Sequence, residues 1–455
     1  MDYNFVKGRF TEAELEKAII SLFEAQDYTH LRGDEIHRKL DEVLLKDDLR
    51  AYLMNQYSDL TSAEIEKIVS RLDNIPSTPL YQCNKETFLL INEGFSFLRD
   101  DANKPPIHIN YINFGDQQMN VFKVVSQFAV QGEILRKLDL LLYINGIPVA
   151  IFEFKSAIRE EAVIHDAWKQ ITIRYNRDIP KLMKYCFLAV ISDGANTKMG
   201  SIFTPYEYFY AWNKINENEK ASNGIASLLT MVRGAFAQDR VLAIMRDFVY
   251  YPDDSPKSEA IVTRYPQFFA AQKMFENIKA RVKPHGDGKG GTYFGATGCG
   301  KTYTMLFLAR LLNQHDREIF RNPTIIIITD REDLDRQTSG LFVESKRYLR
   351  DKNVRSIENR KMLQEVLAEK DSGAASGGVY LTTIQKFCEE TGLLSDRENI
   401  ICISDEAHRT QTGVGAKLKT TEKAYLLRMA LQNTCVIVFQ MLHIAVSQER
   451  QLTKQ

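Results

Sequence analysis

One segment limits the possible folds more than any other. Thr292-Tyr-Phe leads into Gly295-Ala-Thr297-Gly298-Cys-Gly300-Lys301-Thr302, and YTMLFLARLLNQ follows. The pattern is GxxxxGK[ST] between a short apolar strand and a helix. Such a loop turns several backbone N–H groups inward around a phosphate, sends its lysine to the β and γ phosphates and sets its hydroxyl on Mg²⁺. Gly295, Thr297, Gly298, Gly300 and Lys301 are therefore the candidate phosphate cradle, with Thr302 the candidate Mg²⁺ ligand. A loop of this kind works at the carboxyl end of a parallel strand, so the C-terminal part is expected to be α/β with a parallel sheet.

The complementary half of an ATP site follows downstream. Asn399-Ile-Ile-Cys-Ile-Ser404 is a buried-strand pattern ending in Asp405-Glu406-Ala407-His408. A carboxylate at a strand end can hold a Mg²⁺-bound water, which assigns Asp405 to the metal. Glu406 is placed to polarise the attacking water and His408 to relay to a partner domain. ATP and Mg²⁺ are the implied cofactors. This pair, over residues 292–440, resembles superfamily 2 helicases and translocases. The resemblance implies a RecA-like lobe. It also implies contacts to a DNA backbone from Thr329-Asp330-Arg331-Glu-Asp333-Leu334-Asp-Arg-Gln337 and from Thr382-Thr383-Ile-Gln385-Lys386-Phe387.

A second constellation lies nearer the N-terminus. Asp139 sits in KLDLLLY, and Glu153-Phe154-Lys155 in IPVAIFEFK. Asp139 and Glu153 would hold Mg²⁺, and Lys155 would orient a water or stabilise developing charge during phosphodiester hydrolysis. Charges inside an apolar strand are costly to bury without compensation, and a metal site is one form of it. The pattern resembles the PD-(D/E)xK nuclease core, with Leu138 where the motif's proline would stand. Register tests the idea. Asn145-Gly146 suggests a two-residue hairpin, which by itself puts Asp139 and Glu153 on opposite faces. A three-residue turn or a β-bulge is therefore expected.

Downstream, AVIHDAWKQITIRYNRD carries Gln170 and Tyr175. These resemble the QxxxY motif of RecB-type nucleases with a gap one residue longer. Gln170 is the catalytic candidate; Tyr175 fits the motif or an ordinary core aromatic equally well. Arg174, Arg177, Lys181 and Lys184 form either a phosphate-contacting face or a solvated helix surface.

Length and charge add bounds. The 455 residues fit about three domains at ~150 each. The expected division is a nuclease domain with N-terminal helices over 1–200, a helical bridge over 201–285, a first RecA-like lobe over 286–440 and an atypical tail over 441–455. Thr11 and Glu14 form a capping-box pattern ahead of Leu15, Ile19, Leu22 and Phe23. Lys plus Arg and Asp plus Glu both total 59, so DNA binding must come from local patches. The six cysteines lack metal-ligand spacing, which argues against structural zinc and for a reducing compartment. Apolar runs are too short for a membrane span and the N-terminus lacks an apolar leader, so no membrane and a cytoplasmic location are expected.

Nuclease, bridge and DEAH lobe in this order resemble the restriction (R) subunit of type I restriction–modification enzymes. The likeness extends to NVFKVVSQFAV, VAIFEFKSA and DEAHRTQTG. It implies double-stranded DNA and the methyltransferase and specificity subunits as partners, and cleavage coupled to ATP-driven translocation. Arg264-Tyr265-Pro266-Gln267 resembles that family's adenine-recognition segment, with Tyr265 and Gln267 the candidate contacts; a helix start explains them equally well. After LLRMALQNTCVIVF the family pattern leads into a second lobe, whereas this sequence reads QMLHIAVSQERQLTKQ. The expectation is a truncated chain that hydrolyses ATP poorly and does not translocate alone. A repair-type helicase–nuclease and a non-catalytic DNA- or partner-binding remnant are the other readings.

Overall fold

The computed structural model describes residues 11–155, 163–216, 218–219, 226–254, 256–296, 298–329, 332–368, 377–383, 386, 395, 397–405 and 435–442. The chain divides into two compact units. The first runs to Tyr251 and takes in Ser255–Tyr265; the second begins at Pro266 and takes in Pro252–Asp254. Among the described residues no helix is long and apolar enough to cross a membrane.

The first unit is built on a six-stranded mixed sheet. In chain order its strands are β1 (Thr29–Arg32), β2 (Phe122–Gln131), β3 (Leu135–Ile144), β4 (Ile147–Phe154), β5 (Leu188–Ser192) and β6 (Thr197–Gly200), and they lie side by side in that order. β1 runs parallel to β2 and β4 parallel to β5, while the other neighbours are antiparallel. Helix α1 (Glu12–Glu24) starts from the expected capping box: the Glu14 amide donates to Thr11 Oγ1 at 3.3 Å, and the Thr11 amide donates to Glu14 Oε2 at 2.8 Å. Its buried face is Leu15, Ile19 and Phe23, with Leu22 only half-buried. Phe23 meets Phe152 edge-on at 5.6 Å, and Phe152 also packs on Phe236 at 5.0 Å. That aromatic contact secures one face of β4, and Glu153 projects from the other, because successive strand residues alternate.

The β3–β4 hairpin does what the register argument required. Asn145 (φ 50°) and Gly146 (φ 78°) are both left-handed, so the turn is the two-residue kind. Asn145 is fully buried and holds the turn: its Oδ1 accepts from the Val121 amide at 2.7 Å, and its Nδ2 donates to the Tyr111 carbonyl at 3.0 Å. Gly146 has no alternative, since a Cβ there would lie 2.2 Å from the Leu45 carbonyl oxygen. Ile144 pairs with Ile147 and Tyr143 with Pro148, but Leu142 then pairs with Ala150. Val149 is the extra residue of a bulge next to a proline that has no N–H for the ladder. From there Leu140 pairs with Phe152, and one step on Asp139 falls in line with Glu153.

The second unit carries a six-stranded sheet in which every neighbouring pair is parallel. Its strands in chain order are β7 (Lys289–Ala296), β8 (Thr324–Thr329), β9 (Val354–Ser356), β10 (Gly378–Thr383), β11 (Ile400–Ser404) and β12 (Cys435–Leu442). Across the sheet they run β7, β12, β11, β8, β10, β9. The continuous apolar run TIIIIT of β8 is buried along its whole length, as a strand covered on both faces must be.

Candidate active sites

In the first unit, the two carboxylates and the lysine come together with a tyrosine. Glu153 is 1% exposed. Its Oε1 accepts from Lys155 Nζ at 2.6 Å and its Oε2 from the Tyr175 hydroxyl at 3.1 Å. Gln170 Nε2 in turn donates to the Tyr175 oxygen at 2.6 Å. Asp139 Oδ2 accepts from the Phe154 backbone amide at 2.8 Å. Burial pushes the Glu153 carboxyl up to about 8, reinforced by the neighbouring Asp139 charge and opposed by Lys155. Burial likewise pushes Asp139 up to about 6, against the pull of the Phe154 amide and Lys155. Lys155 is also partly buried, which works against its charge, yet the Glu153 carboxylate holds its pKa above the ordinary value.

The extra residue between Gln170 and Tyr175 has a structural answer. Helix α2 (Val163–Lys169) continues into a π-helical turn over Gln170–Tyr175. In an α-helix the two positions would diverge at this spacing, but the wider turn returns residue i+5 to the face of residue i. Tyr175 is thus in the site as well as in the core. The basic run does not stay together. Arg174 is exposed, Arg177 bonds Asp178 at 2.7 Å, and Lys181 reaches Asp41 at 3.4 Å. Lys184 is 1% exposed and donates to the Asp73 and Ile75 carbonyls, so it belongs to no DNA-facing surface. Its neighbourhood is the C-terminal end of helix α3 (Ser62–Asp73), where unpaired carbonyls need donors.

The residues around Asp139 and Glu153 suit Mg²⁺. The donors are hard carboxylate oxygens, Asp139 Oδ1 has no partner among the described residues, and the two carboxyls share the single lysine Lys155. Among the described residues no group of three or more His, Cys, Asp or Glu converges as a metal cage. Two carboxylates with the remaining positions left to water and phosphate is the usual way this ion is held. Sequence reasoning missed the Phe154 amide, because a backbone donor leaves no signature in residue type. It also missed Gln127, which stands in line with Asp139 on β2 in a left-handed conformation (φ 54°), its side chain bonded to Glu16.

In the second unit the glycine loop leaves β7 and enters helix α4 (Lys301–Gln314). Gly298 (φ 76°) and Gly300 (φ 80°) take left-handed conformations that bend the backbone sharply into the helix. At Gly295 a Cβ would sit 2.8 Å from Cys299 Sγ. Lys301 and Thr302 open the helix, both half-buried. Gln267, buried on helix α5 (Tyr265–Arg281), donates from Nε2 to the Gly300 and Cys299 carbonyls at 3.2 and 3.3 Å. Tyr265, two residues earlier, instead neighbours Tyr210 and Trp212 at ring distances of 6.3 and 6.4 Å. Asp405 follows β11 directly, its amide donating to the Ile328 carbonyl at 2.8 Å. Only β12 separates β7 from β11, and all three are parallel, so the loop and Asp405 share the carboxyl edge of the sheet. Of the downstream motif residues, Thr329 and Thr382 are buried at the ends of β8 and β10, and Lys386 donates to the Ile357 carbonyl. Thr297, Asp330, Arg331, Gln385, Phe387, Glu406 and His408 lie outside the described residues.

A parallel sheet with a phosphate loop and an acidic strand end on one edge defines an ATPase domain. Residues 266–452 match the family model described as SWI2/SNF2 ATPase, and residues 9–208 match the one described as Type I restriction enzyme R protein N terminus. The HindI type I restriction enzyme endonuclease subunit of Haemophilus influenzae is 29% identical over 90% of this chain and 39% of its own length. A Methanocaldococcus jannaschii protein carrying the name of the MjaIXP type I restriction enzyme endonuclease subunit is 28% identical over 93% of this chain and 42% of its own length. The chain is thus similar to type I restriction enzyme endonuclease subunits along most of its length, and its second unit to SWI2/SNF2 ATPases. It spans about two fifths of the length of these relatives.

Proposed function

We propose that the first unit is a PD-(D/E)xK-type, Mg²⁺-dependent DNA endonuclease domain and that the second is a RecA-like lobe binding ATP and Mg²⁺. In the full complex, with methyltransferase and specificity subunits, cleavage of double-stranded DNA would be coupled to ATP-driven translocation. The observation that carries the nuclease reading is the bulge at Val149, which aligns Asp139 with Glu153 beside Lys155.

Asp139 and Glu153 would hold Mg²⁺, and the bound ion supplies charge neutralisation at the phosphate and a more acidic water. Lys155 keeps its proton through its bond to Glu153 and stands ready to orient that water or to meet charge developing on the phosphate. Tyr175, anchored by Gln170, fixes the second Glu153 oxygen so that the carboxylate cannot swing away. In the second unit Lys301 would meet the β and γ phosphates, Thr302 and Asp405 would hold the nucleotide's Mg²⁺, and Glu406 would polarise the attacking water. Gln267, already bonded to the loop carbonyls, would pass adenine occupancy to the loop, with Tyr265 the second adenine candidate. Incubating the chain with supercoiled plasmid and Mg²⁺ tests the nuclease reading. Nicking is expected, with loss in both Asp139→Ala and Lys155→Ala; nicking that survives both substitutions overturns it.

A further inference from the structure

Away from the carboxylates, the first unit displays a run of aromatic rings threaded with cations. Tyr206–Tyr208 form a single 3₁₀ turn. Phe209 is buried next to Gly200, where a Cβ would come within 2.8 Å of its ring. Tyr210 exchanges both backbone hydrogen bonds with Met199, at 2.9 and 3.0 Å. The segment is therefore fixed, yet Tyr208 is 57% exposed and Tyr210 40%. Lys198 Nζ lies 4.8 Å from the Tyr206 ring centre, and Arg264 Cζ 4.6 Å from that of Tyr210. His165 stacks on Trp168 at 5.3 Å and 6°, and meets Tyr206 edge-on at 4.7 Å.

The combination selects its ligand. Cations without rings would serve a duplex backbone, whose bases are stacked on one another and offer no free face. Rings without cations would serve an apolar protein surface. Rigidly held tyrosines alternating with Lys198 and Arg264 match a polymer that presents flat faces and negative charges in turn. Trp168 Nε1 donates to the Thr204 carbonyl at 3.0 Å and ties the segment to α2, which runs on into Gln170.

We propose that this ledge binds single-stranded DNA, stacking unpaired bases on Tyr208 and Tyr210 while Lys198 and Arg264 meet the phosphates. It deepens the nuclease reading, since a strand held there lies beside the helix that carries Gln170 toward Glu153. Binding is measured on the full chain in EDTA, by fluorescence anisotropy with an oligo-dT of about 20 nucleotides and a duplex of equal length. The Tyr208→Ala/Tyr210→Ala pair is expected to weaken oligo-dT binding about tenfold or more and leave duplex binding unchanged. The Tyr208→Phe/Tyr210→Phe pair should retain oligo-dT binding, because the ring faces remain. Circular dichroism checks that each variant folds. Unchanged oligo-dT binding in the alanine pair, an equal loss for the duplex, or a phenylalanine pair as weak as the alanine pair overturns the proposal. Asp139→Ala, which removes nicking on the nuclease reading, keeps oligo-dT binding here, so the two readings fail separately.

Discussion

The two candidate sites are made of different material. In the first unit the candidate groups are side chains that bond one another, Lys155 and Tyr175 on Glu153 and Gln170 on Tyr175, with the Phe154 amide on Asp139. In the second unit they lie on a backbone loop with left-handed Gly298 and Gly300, and Gln267 donates to the loop carbonyls. The difference suits each to a different ligand. Two carboxylates share one lysine in a largely buried setting, which favours a cation there. A glycine loop at the start of a helix favours an anion.

If that contrast holds, each site fails by its own substitution. The largest effect is expected for Asp139→Ala, which should lower Mg²⁺-dependent nicking about a thousandfold or more while nucleotide binding, followed with a fluorescent ATP analogue, stays at the wild-type level. Lys301→Ala should do the converse, weakening nucleotide binding on the order of tenfold to a hundredfold with nicking by the isolated chain unchanged. Loss of both activities in either variant would break the separation.

Smaller effects sharpen the picture of the carboxylate site. Tyr175→Phe removes one donor from Glu153 and should slow nicking about tenfold. Deleting Ile173, which is 52% exposed in the π-helical turn, should restore an α-helical spacing that still places the glutamine and tyrosine on one face. Nicking within about threefold of wild type is expected there, whereas a loss as deep as that of Tyr175→Phe would show the π turn itself to be required. The smallest effect is on stability. Both carboxyls have folded-state values above the unfolded ones, so the folded metal-free chain holds more protons from the ordinary carboxylate range up to about 8. Its stability therefore falls as pH rises through that window, and thermal melts in EDTA should show a declining Tm that flattens in Glu153→Gln.

Much of this was legible in the sequence, for reasons that differ by site. The glycine loop is local: its spacing alone dictates its conformation, and Asp405 could be placed because a buried apolar strand announces its own end. The β3–β4 hairpin was half legible. Asn145-Gly146 specified the turn, and the need to align Asp139 with Glu153 demanded an irregularity, but nothing local said that Pro148 and Val149 would supply it. Tyr175 stayed ambiguous because a five-residue gap has meaning only once the helix is known to widen there. Lys184 misled outright. Its partners are carbonyls at the end of a helix more than a hundred residues earlier in the chain, and a sequence shows neither the carbonyls nor their approach.

On the proposed reading, Asp139 and Glu153 bind a divalent cation in competition with protons, since burial raises both carboxyls. Isothermal titration of Mg²⁺ or Mn²⁺ into the chain near pH 7, repeated in buffers of different ionisation enthalpy, measures it directly. Binding accompanied by release of about one proton in the wild type, with both the binding and the release lost in Glu153→Gln, is the predicted result. Binding without proton release, or binding that survives in Glu153→Gln, would contradict it.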